Sequence, residues 1–168
     1  MNKFFIMASL PASVVFWTDE VIKQKVEEGS IEMPQAASGD KKLMPGKMVS
    51  LRSLHNKGAA RGIGKESPVF IKTSSVVLSI VAAVLLVRAA ARKDAAHTIG
   101  LSLLLGGSLS NTKDRMTRGY VVDYFSFEKG PRWLKDLVFN LSDMAIFAGA
   151  AMASAEYMKE DKIEVNDD

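Results

Sequence analysis

The chain has 168 residues, of which 48% are hydrophobic and 24% are charged, and its formal net charge is +3. This length is typical of a single domain, and the weak, scattered positive charge does not favour nucleic acid as a partner. The absence of cysteine excludes disulfide bonds, thiolate metal sites and a cysteine nucleophile.

Four apolar stretches predict helices. They occupy residues 4–26, 68–91, 95–111 and 137–158. The first also resembles a signal peptide, because a basic residue precedes a short apolar segment, yet the polar sequence that follows keeps helical spacing. Asp19 and Lys23, four residues apart, share one face of this continuation and can pair. We therefore expect that the first helix stays in the protein and is not cleaved off as a signal peptide.

The number of apolar stretches favours a membrane bundle over a soluble domain. Crossing a bilayer takes roughly 20 mostly apolar residues, and each of the first three stretches is shorter than this once its polar ends are excluded. One such stretch alone is equally consistent with a buried helix of a soluble protein. Together the stretches predict four membrane helices whose polar ends enter the bilayer, where polar groups are costly and tend to mark function.

The segments that connect these helices are polar. Residues 27–67 form a long first connection, in which the partial alternation of residues 48–54 predicts a half-exposed strand. Residues 111–136 form a second long connection, and residues 159–168 form a charged tail. An even number of spans puts both termini on one side of the membrane. The short basic link between the second and third helices indicates that this side is the cytoplasm, although the lysines of the first connection argue the opposite way.

Three common site chemistries lack their residues in this chain. A zinc hydrolase needs clustered ligands, whereas the two histidines, His55 and His97, are far apart in the sequence. The serine elbow G-x-S-x-G is absent around Ser108. The glycines between Gly58 and Gly64 have the wrong spacing for a phosphate-binding loop. We reject these three interpretations.

Two aspartates stand among apolar residues. Asp143 lies inside the fourth apolar stretch, and Asp123 lies between Val122 and Tyr124. If the fold brings the two carboxyl groups together, they cannot both ionise cheaply and would share one proton. One would then act as general base on a water, and the other would protonate the carbonyl oxygen or the leaving amine. Spacing alone favours the simpler alternative, in which each aspartate caps a helix or is solvated.

The residues around both aspartates resemble the lipoprotein signal peptidase family, also called signal peptidase II. Its pattern G-x-x-x-N-x-x-D-R, followed by G-x-V-V-D-[FY], is matched by Gly107, Asn111, Asp114, Arg115, Gly119, Val121, Val122 and Asp123. Its pattern F-N-x-[AS]-D is matched by Phe139, Asn140, Ser142 and Asp143. Two earlier patterns are matched by Asp19 and Lys23, and by Asn56, Gly58, Ala59 and Ala60. The four patterns occur in the family's order across most of the chain.

This resemblance implies an α-helical integral membrane protein with four transmembrane helices and a small extracytoplasmic β-cradle. It implies an aspartic endopeptidase of the bacterial cytoplasmic membrane, without metal or cofactor, whose catalytic pair is Asp123 and Asp143. By the same resemblance, the residues that line the site are Asn56, Asn111, Arg115 and Asn140, supported by Asp19, Lys23, Gly107 and Asp114. The implied partners are membrane lipids and a prolipoprotein with a diacylglyceryl cysteine, which is cut just before that cysteine. We expect a monomer.

The chain departs from the family pattern at positions outside the aspartate pair. Ser110 replaces a common glycine, Met144 replaces a common small polar residue, and Arg61 replaces a common aromatic or apolar residue. Two further hypotheses stay open. One is a non-proteolytic membrane protein whose buried acids bind protons, ions or a partner, and the other is a catalytically silent relative.

Overall fold

The computed structural model describes residues 3–59 and 63–166, with side chains as far as Ala155; Ala60 and Arg61 lie outside these ranges. Within them the helices are α1 (Lys3–Glu27), α2 (Pro68–Ala91), α3 (Ala95–Thr117), α4 (Arg132–Lys135) and α5 (Leu141–Asn166). The strands within the same ranges are β1 (Lys42–Leu43), β2 (Val49–Asn56) and β3 (Val121–Phe127).

The helix α3 lies at the centre of the bundle, in contact with α1, α2 and α5. Glycines let two of these neighbours approach closely. A Cβ atom at Gly106 would lie 2.8 Å from the Cα atom of Ala12 in α1. A Cβ atom at Gly107 would collide with the carbonyl oxygen of Ser142 in α5. Because glycine has no side chain, the polar residues of α3 come within hydrogen-bonding distance of both α1 and α5.

The strands form an antiparallel sheet in the order β1-β2-β3. In the pairing of β2 with β3, Asn56 lies opposite Val121. The segment that precedes α5 joins the other edge of β3 through a bridge between Phe125 and Phe139. Asn56, Asp123 and the start of α5 therefore meet at one end of the sheet.

One face of β3 anchors the sheet to the bundle. Val122 and Tyr124 are buried against Val26 near the end of α1, and Leu141 of α5 packs beside them. Successive side chains of a strand point to opposite faces, so Asp123, which lies between Val122 and Tyr124, points to the other face. The anchoring of the sheet thus aims this carboxyl group away from the apolar cluster.

The structure corrects several limits that the sequence predicts. The third helix does not end at residue 111 but continues to Thr117, and β3 and α4 occupy much of the predicted loop 111–136. The prediction was wrong because Asn111 and Asp114 are polar yet buried, and hydropathy treats such residues as loop. The sheet is therefore not confined to the first connection, residues 27–67, because its third strand, β3, comes from the second connection.

The last helix also differs from its predicted limits. It begins at Leu141 instead of residue 137, because the segment before it pairs with β3 at Phe139. It continues to Asn166, through most of the predicted charged tail. Lysine and glutamate in that tail are good helix formers, and charge alone does not end a helix.

The outer surfaces of α1 and α2 are apolar. Phe5 and Trp17 on α1 are 62% and 66% exposed, and Val69 and Val87 on α2 are 78% and 68% exposed. Of the helices in the described ranges, these two are long and apolar enough to cross a membrane, and the apolar part of α5, Leu141–Ala155, is shorter. Large exposed apolar surfaces mark contact with lipid or with another protein.

Candidate active site

Asp123 and Asp143 meet where the sheet joins the bundle, and Asn140 connects them. Asn140 Nδ2 donates to Asp123 Oδ1 at 2.8 Å. The backbone N–H of Asn140 donates to Asp143 Oδ2 at 3.1 Å, and Asn140 Oδ1 accepts from the backbone N–H of Asp143 at 2.9 Å. This reciprocal pair is a capping box at the start of α5. The residue that caps the helix therefore also holds one carboxyl group beside the other.

Two more asparagines hold the remaining carboxylate oxygens. Asn56 Nδ2 donates to Asp123 Oδ2 at 3.1 Å, and Asn111 Nδ2 donates to Asp143 Oδ1 at 2.9 Å. Asn140 Nδ2 also donates to Asn111 Oδ1 at 3.1 Å, which links the amides to one another. Each oxygen of the acid pair thus accepts an N–H bond. We call Asn56, Asn111 and Asn140 the amide cage, because they orient both carboxyl groups without adding charge.

The surroundings of Asp123 favour its protonated form. Burial, and then the nearby charge of Asp143, raise the pKa of Asp123 to about 8, against the opposing effect of the bonds from Asn56 and Asn140. Asp143 instead lies in the first turn of α5, where the helix dipole favours a negative charge, and it accepts a backbone N–H. Two buried carboxyl groups do not both ionise cheaply. Burial therefore favours a protonated Asp123 at neutral pH.

A buried cation lies beneath the acid pair. Lys23 is fully buried, and its Nζ lies 2.7 Å from Asp19 Oδ2 and 3.0 Å from Asp114 Oδ2. It also donates to Asn111 Oδ1 at 3.0 Å. A buried charge needs partners of this kind, because its removal from water is costly. By holding the carbonyl oxygen of Asn111, the cation turns the amide nitrogen toward Asp143.

The anions paired with Lys23 tie this ionic group to the sheet and to α5. Asp19 Oδ1 accepts from Tyr124 Oη at 2.8 Å, and Asp19 Oδ2 accepts from Ser142 Oγ at 2.6 Å. Asp114 Oδ2 accepts from the backbone N–H of Val122 at 3.2 Å. Burial, and then the charge of Asp19, raise the pKa of Tyr124, so its hydroxyl group remains a neutral donor. The ionic group thus joins α1, α3, β3 and α5 behind the acids.

Both acids line a cleft of ≈ 420 Å³. Its lining comprises residues 54–59 at the end of β2, residues 136–139 before α5, and residues from the helices that include Asn111, Arg115 and Phe147. A volume of a few hundred Å³ is typical of ligand sites. The cleft combines apolar walls with convergent polar groups, as a site for a short peptide segment requires.

Arg115 faces this cleft with part of its hydrogen-bonding capacity unused. Its Nη2 donates to the carbonyl oxygen of Gly58 at 3.2 Å. Its Nε is buried without a hydrogen-bond partner among the described residues. Because an unpaired buried N–H is costly, a carbonyl oxygen bound in the cleft would stabilise this arrangement.

The histidines are engaged away from the acid pair. His55 Nε2 lies 2.7 Å from Glu27 Oε1, and the His55 ring stacks on Tyr120 with centroids 4.2 Å apart. His97 pairs with Asp94 at the start of α3. In the described ranges, no group of three or more histidine, cysteine, aspartate or glutamate residues is arranged to hold a metal ion.

The structure brings the site residues predicted from the sequence into one connected group. The acids, the amide cage and Arg115 line the cleft, Asp19, Lys23 and Asp114 lie behind it, and Gly107 permits the approach of α3 to α5.

Sequence analysis gave no site role to Tyr124, Ser110 and Glu20, which belong to the same hydrogen-bonded group. Ser110 Oγ lies 2.8 Å from Asp19 Oδ2 and 3.2 Å from Glu20 Oε1. The partners are 90 to 105 positions apart in the chain, so spacing within one helix carries no signal for them. The direct adjacency of Tyr124 to Asp123 and of Glu20 to Asp19 is the weak signal that was available.

The chain matches known proteins along most of its length. The family model described as "Signal peptidase (SPase) II" matches residues 12–159. A lipoprotein signal peptidase of Lactiplantibacillus plantarum is 32% identical over 117 residues, which cover 70% of this chain and 74% of the relative. A lipoprotein signal peptidase of Ectopseudomonas mendocina is 27% identical over 164 residues, which cover 96% of this chain and 94% of the relative.

Two solved structures of bacterial membrane enzymes resemble the chain. One has a TM-score of 0.73 at 24% identity and covers 90% of this chain and 87% of its own. The other has a TM-score of 0.67 at 25% identity, with coverage of 89% and 91%. These likenesses support the helical membrane fold with its small antiparallel sheet.

Proposed function

The chain belongs to the signal peptidase II family, and we propose that its cleft is the active site of a lipoprotein signal peptidase whose catalytic pair is Asp123 and Asp143. The amide cage is the observation that carries this proposal. It holds two carboxyl groups in one site, while in the described ranges no cation lies within ion-pair distance of either acid. Such a pair retains one shared proton, and hydrolysis of a peptide bond needs both an acid and a base.

The acid pair would cut a peptide bond in two steps. The ionised Asp143 takes a proton from a water whose oxygen attacks the scissile carbonyl carbon, while Asp123 gives its proton to the carbonyl oxygen. A tetrahedral diol results. Asp143 then passes its proton to the amide nitrogen as the C–N bond breaks, and Asp123 takes a proton from one hydroxyl group. The products are an acid and an amine, and both aspartates regain their starting states.

Substrate binding falls to groups that face the cleft beside the acids. Arg115 Nε, which has no hydrogen-bond partner in the part of the chain that the structure describes, can donate to a backbone carbonyl oxygen of the substrate. Asn56 and Asn140, which touch Asp123, keep its carboxyl group turned toward the bound peptide bond. Lys23, Asp19 and Asp114 act from behind by holding Asn111 and β3, and they do not meet the substrate.

We propose that α1, α2, α3 and α5 are four transmembrane helices and that both termini are cytoplasmic. The exposed apolar surfaces of α1 and α2 support this arrangement. The sheet then lies on the extracytoplasmic side, and the cleft at its junction with the helices lies near the membrane surface. A prolipoprotein anchored by a diacylglyceryl cysteine would present its scissile bond at that depth. One chain supplies both acids and the whole amide cage, so a monomer suffices.

Cleavage of a synthetic diacylated lipobox peptide by the purified protein tests the proposal. Asp123→Asn and Asp143→Asn should each lower kcat at least about 10³-fold, as the loss of a residue from a catalytic unit does. Asp40→Asn, at an exposed aspartate of the first connection, is the matched control and should leave cleavage unchanged. Normal cleavage by either variant of the pair would refute the proposal. An inactive wild-type protein whose proton flux changes in the same variants would support the non-proteolytic alternative.

A further inference from the structure

Arg52 connects three parts of the chain beside the cleft. It lies in β2, within the irregularity of register between Leu51 and Leu54. Its Nε donates to Ser126 Oγ in β3 at 2.7 Å. Its Nη2 donates to the carbonyl oxygen of Lys135 at 2.9 Å and approaches that of Leu137 at 3.5 Å. The guanidinium group therefore joins β2 and β3 to the segment that follows α4.

The geometry of these bonds suits arginine and no other side chain. Lys135 is the last residue of α4, and the last carbonyl groups of a helix lack partners within the helix. The planar guanidinium group presents its N–H donors in a rigid fork, so one side chain can serve a hydroxyl group and backbone carbonyl groups together. A lysine ammonium is a point charge on a flexible stem and cannot reproduce this fork.

The segments that Arg52 joins are two walls of the cleft. One wall, residues 54–59, begins two positions after Arg52, and the other, residues 136–139, begins directly after Lys135. The far end of the second wall is held separately, since Phe139 exchanges backbone bonds of 2.7 and 3.0 Å with Phe125. Among the described residues, the side chain of Arg52 connects the start and the middle of that wall to the sheet, through the carbonyl groups of Lys135 and Leu137.

We propose that Arg52 is a positioning residue that sets the separation of the two cleft walls and thereby the affinity for substrate. This inference rests on the proposed function of the cleft. Arg52 does not touch the acid pair, and Asn140 is fixed by the capping box and by the bridge at Phe139. Loss of Arg52 therefore changes the binding of the peptide and leaves the chemical step intact.

Steady-state cleavage of the diacylated peptide separates these two effects. Arg52→Met keeps the length of the side chain but removes its charged donors, and it should raise KM about five- to tenfold while kcat stays within about twofold. Arg132→Met is the matched control, because Arg132 is an exposed arginine of α4, and its KM should equal that of the wild type. Arg52→Lys, a milder change, should raise KM by a smaller factor. An unchanged KM in Arg52→Met and Arg52→Lys, or a fall in kcat alone, overturns the proposal.

A distance measurement tests the role of Arg52 without any substrate. The chain contains no cysteine, so Lys57→Cys and Asp136→Cys can carry spin labels, one on each wall. The distribution of distances between the labels should be broader or shifted in Arg52→Met and unchanged in Arg132→Met. A distribution identical to that of the wild type overturns the proposal. If the wild-type protein does not cleave the peptide, the proposed function fails, whereas this measurement still decides whether Arg52 holds the walls.

Discussion

Substitution of Asn140 separates its role at the acid pair from its role as a helix cap. Asn140→Ser keeps a side-chain oxygen, which caps a helix about as well as asparagine does. It loses the Nδ2 group that donates to Asp123 Oδ1 and to Asn111 Oδ1. Asn140→Ala loses the cap as well, because no side-chain acceptor remains for the backbone N–H of Asp143. The two variants therefore differ only in the cap.

The structure sets the size of both effects. Asp123 is protonated before it reacts, and a hydrogen bond to a neutral group contributes about 0.5–1.5 kcal/mol. Since each 1.36 kcal/mol is tenfold in rate, both variants should lose about 2- to 12-fold in kcat. A helix cap contributes about 1 kcal/mol, so Asn140→Ala should be less stable than Asn140→Ser by about that amount.

Two assays check these values separately. Steady-state cleavage of the diacylated peptide gives kcat, and denaturant unfolding of the protein in detergent gives the free energy of unfolding. A wild-type kcat in Asn140→Ser would refute the role of this amide in aligning the acids. Equal stability of the two variants would refute its role as a cap.

Four other predictions concern the acids and their support. The pKa of Asp123 is raised to about 8 and its protonated form is the reactive one, so kcat/KM should fall as pH rises through that value. A value of kcat/KM that stays constant from below about pH 8 to above it contradicts this. The folded state binds more protons at Asp123 than the unfolded state between pH 3.8 and about 8, so stability should fall with rising pH across that window, and Asp123→Asn should weaken the dependence in unfolding titrations. Lys23→Met leaves the buried Asp19 without its cation, while Asp114 keeps its pair with Arg118. It should cost about 3–5 kcal/mol in unfolding measurements, whereas Lys25→Met, at an exposed lysine of α1, should cost little. Gly107→Ala puts a methyl group against a carbonyl oxygen of α5 and should lower kcat/KM by moving Asp143 from Asp123; wild-type activity would contradict that account.

The sequence predicts those features that depend on neighbouring residues. A continuous apolar run predicts α2, and the alternation of apolar and polar residues predicts the first part of β2, which starts at Val49. The spacing of Asp19 and Lys23 predicts a pair on one helix face, and this prediction is confirmed by their separation of 2.7 Å. Each of these signals arises within a few residues of the chain.

Features that depend on distant residues could not be predicted in this way. The sequence predicts β3 as part of a loop because the strand lies in a polar stretch, although its first four residues are buried. Tyr124 gains its role from Asp19, which is 105 positions away. The end of α3 was also missed, since Asn111 is compatible with the bundle interior only because Lys23, Asn140 and Asp143 satisfy its side chain. Resemblance to a family supplied the connection between these residues that local patterns lack.

The position of Lys23 explains how the molecule can keep a cation close to an acid pair that must retain a proton. A direct ion pair between a lysine and either acid would favour the ionised form of that acid. Lys23 instead contacts Asn111 Oδ1, and the opposite end of that amide, Nδ2, donates to Asp143. The Asn111 amide, which Lys23 holds in place, orients the carboxyl group of Asp143. The same amide lies between the ammonium group and the acid pair, so the positive charge does not contact either acid. Asp19 and Asp114, which lie within 3.0 Å of Lys23 Nζ, further offset its charge. The pair can therefore be held firmly and still share a proton, a combination that direct contact with a cation would prevent.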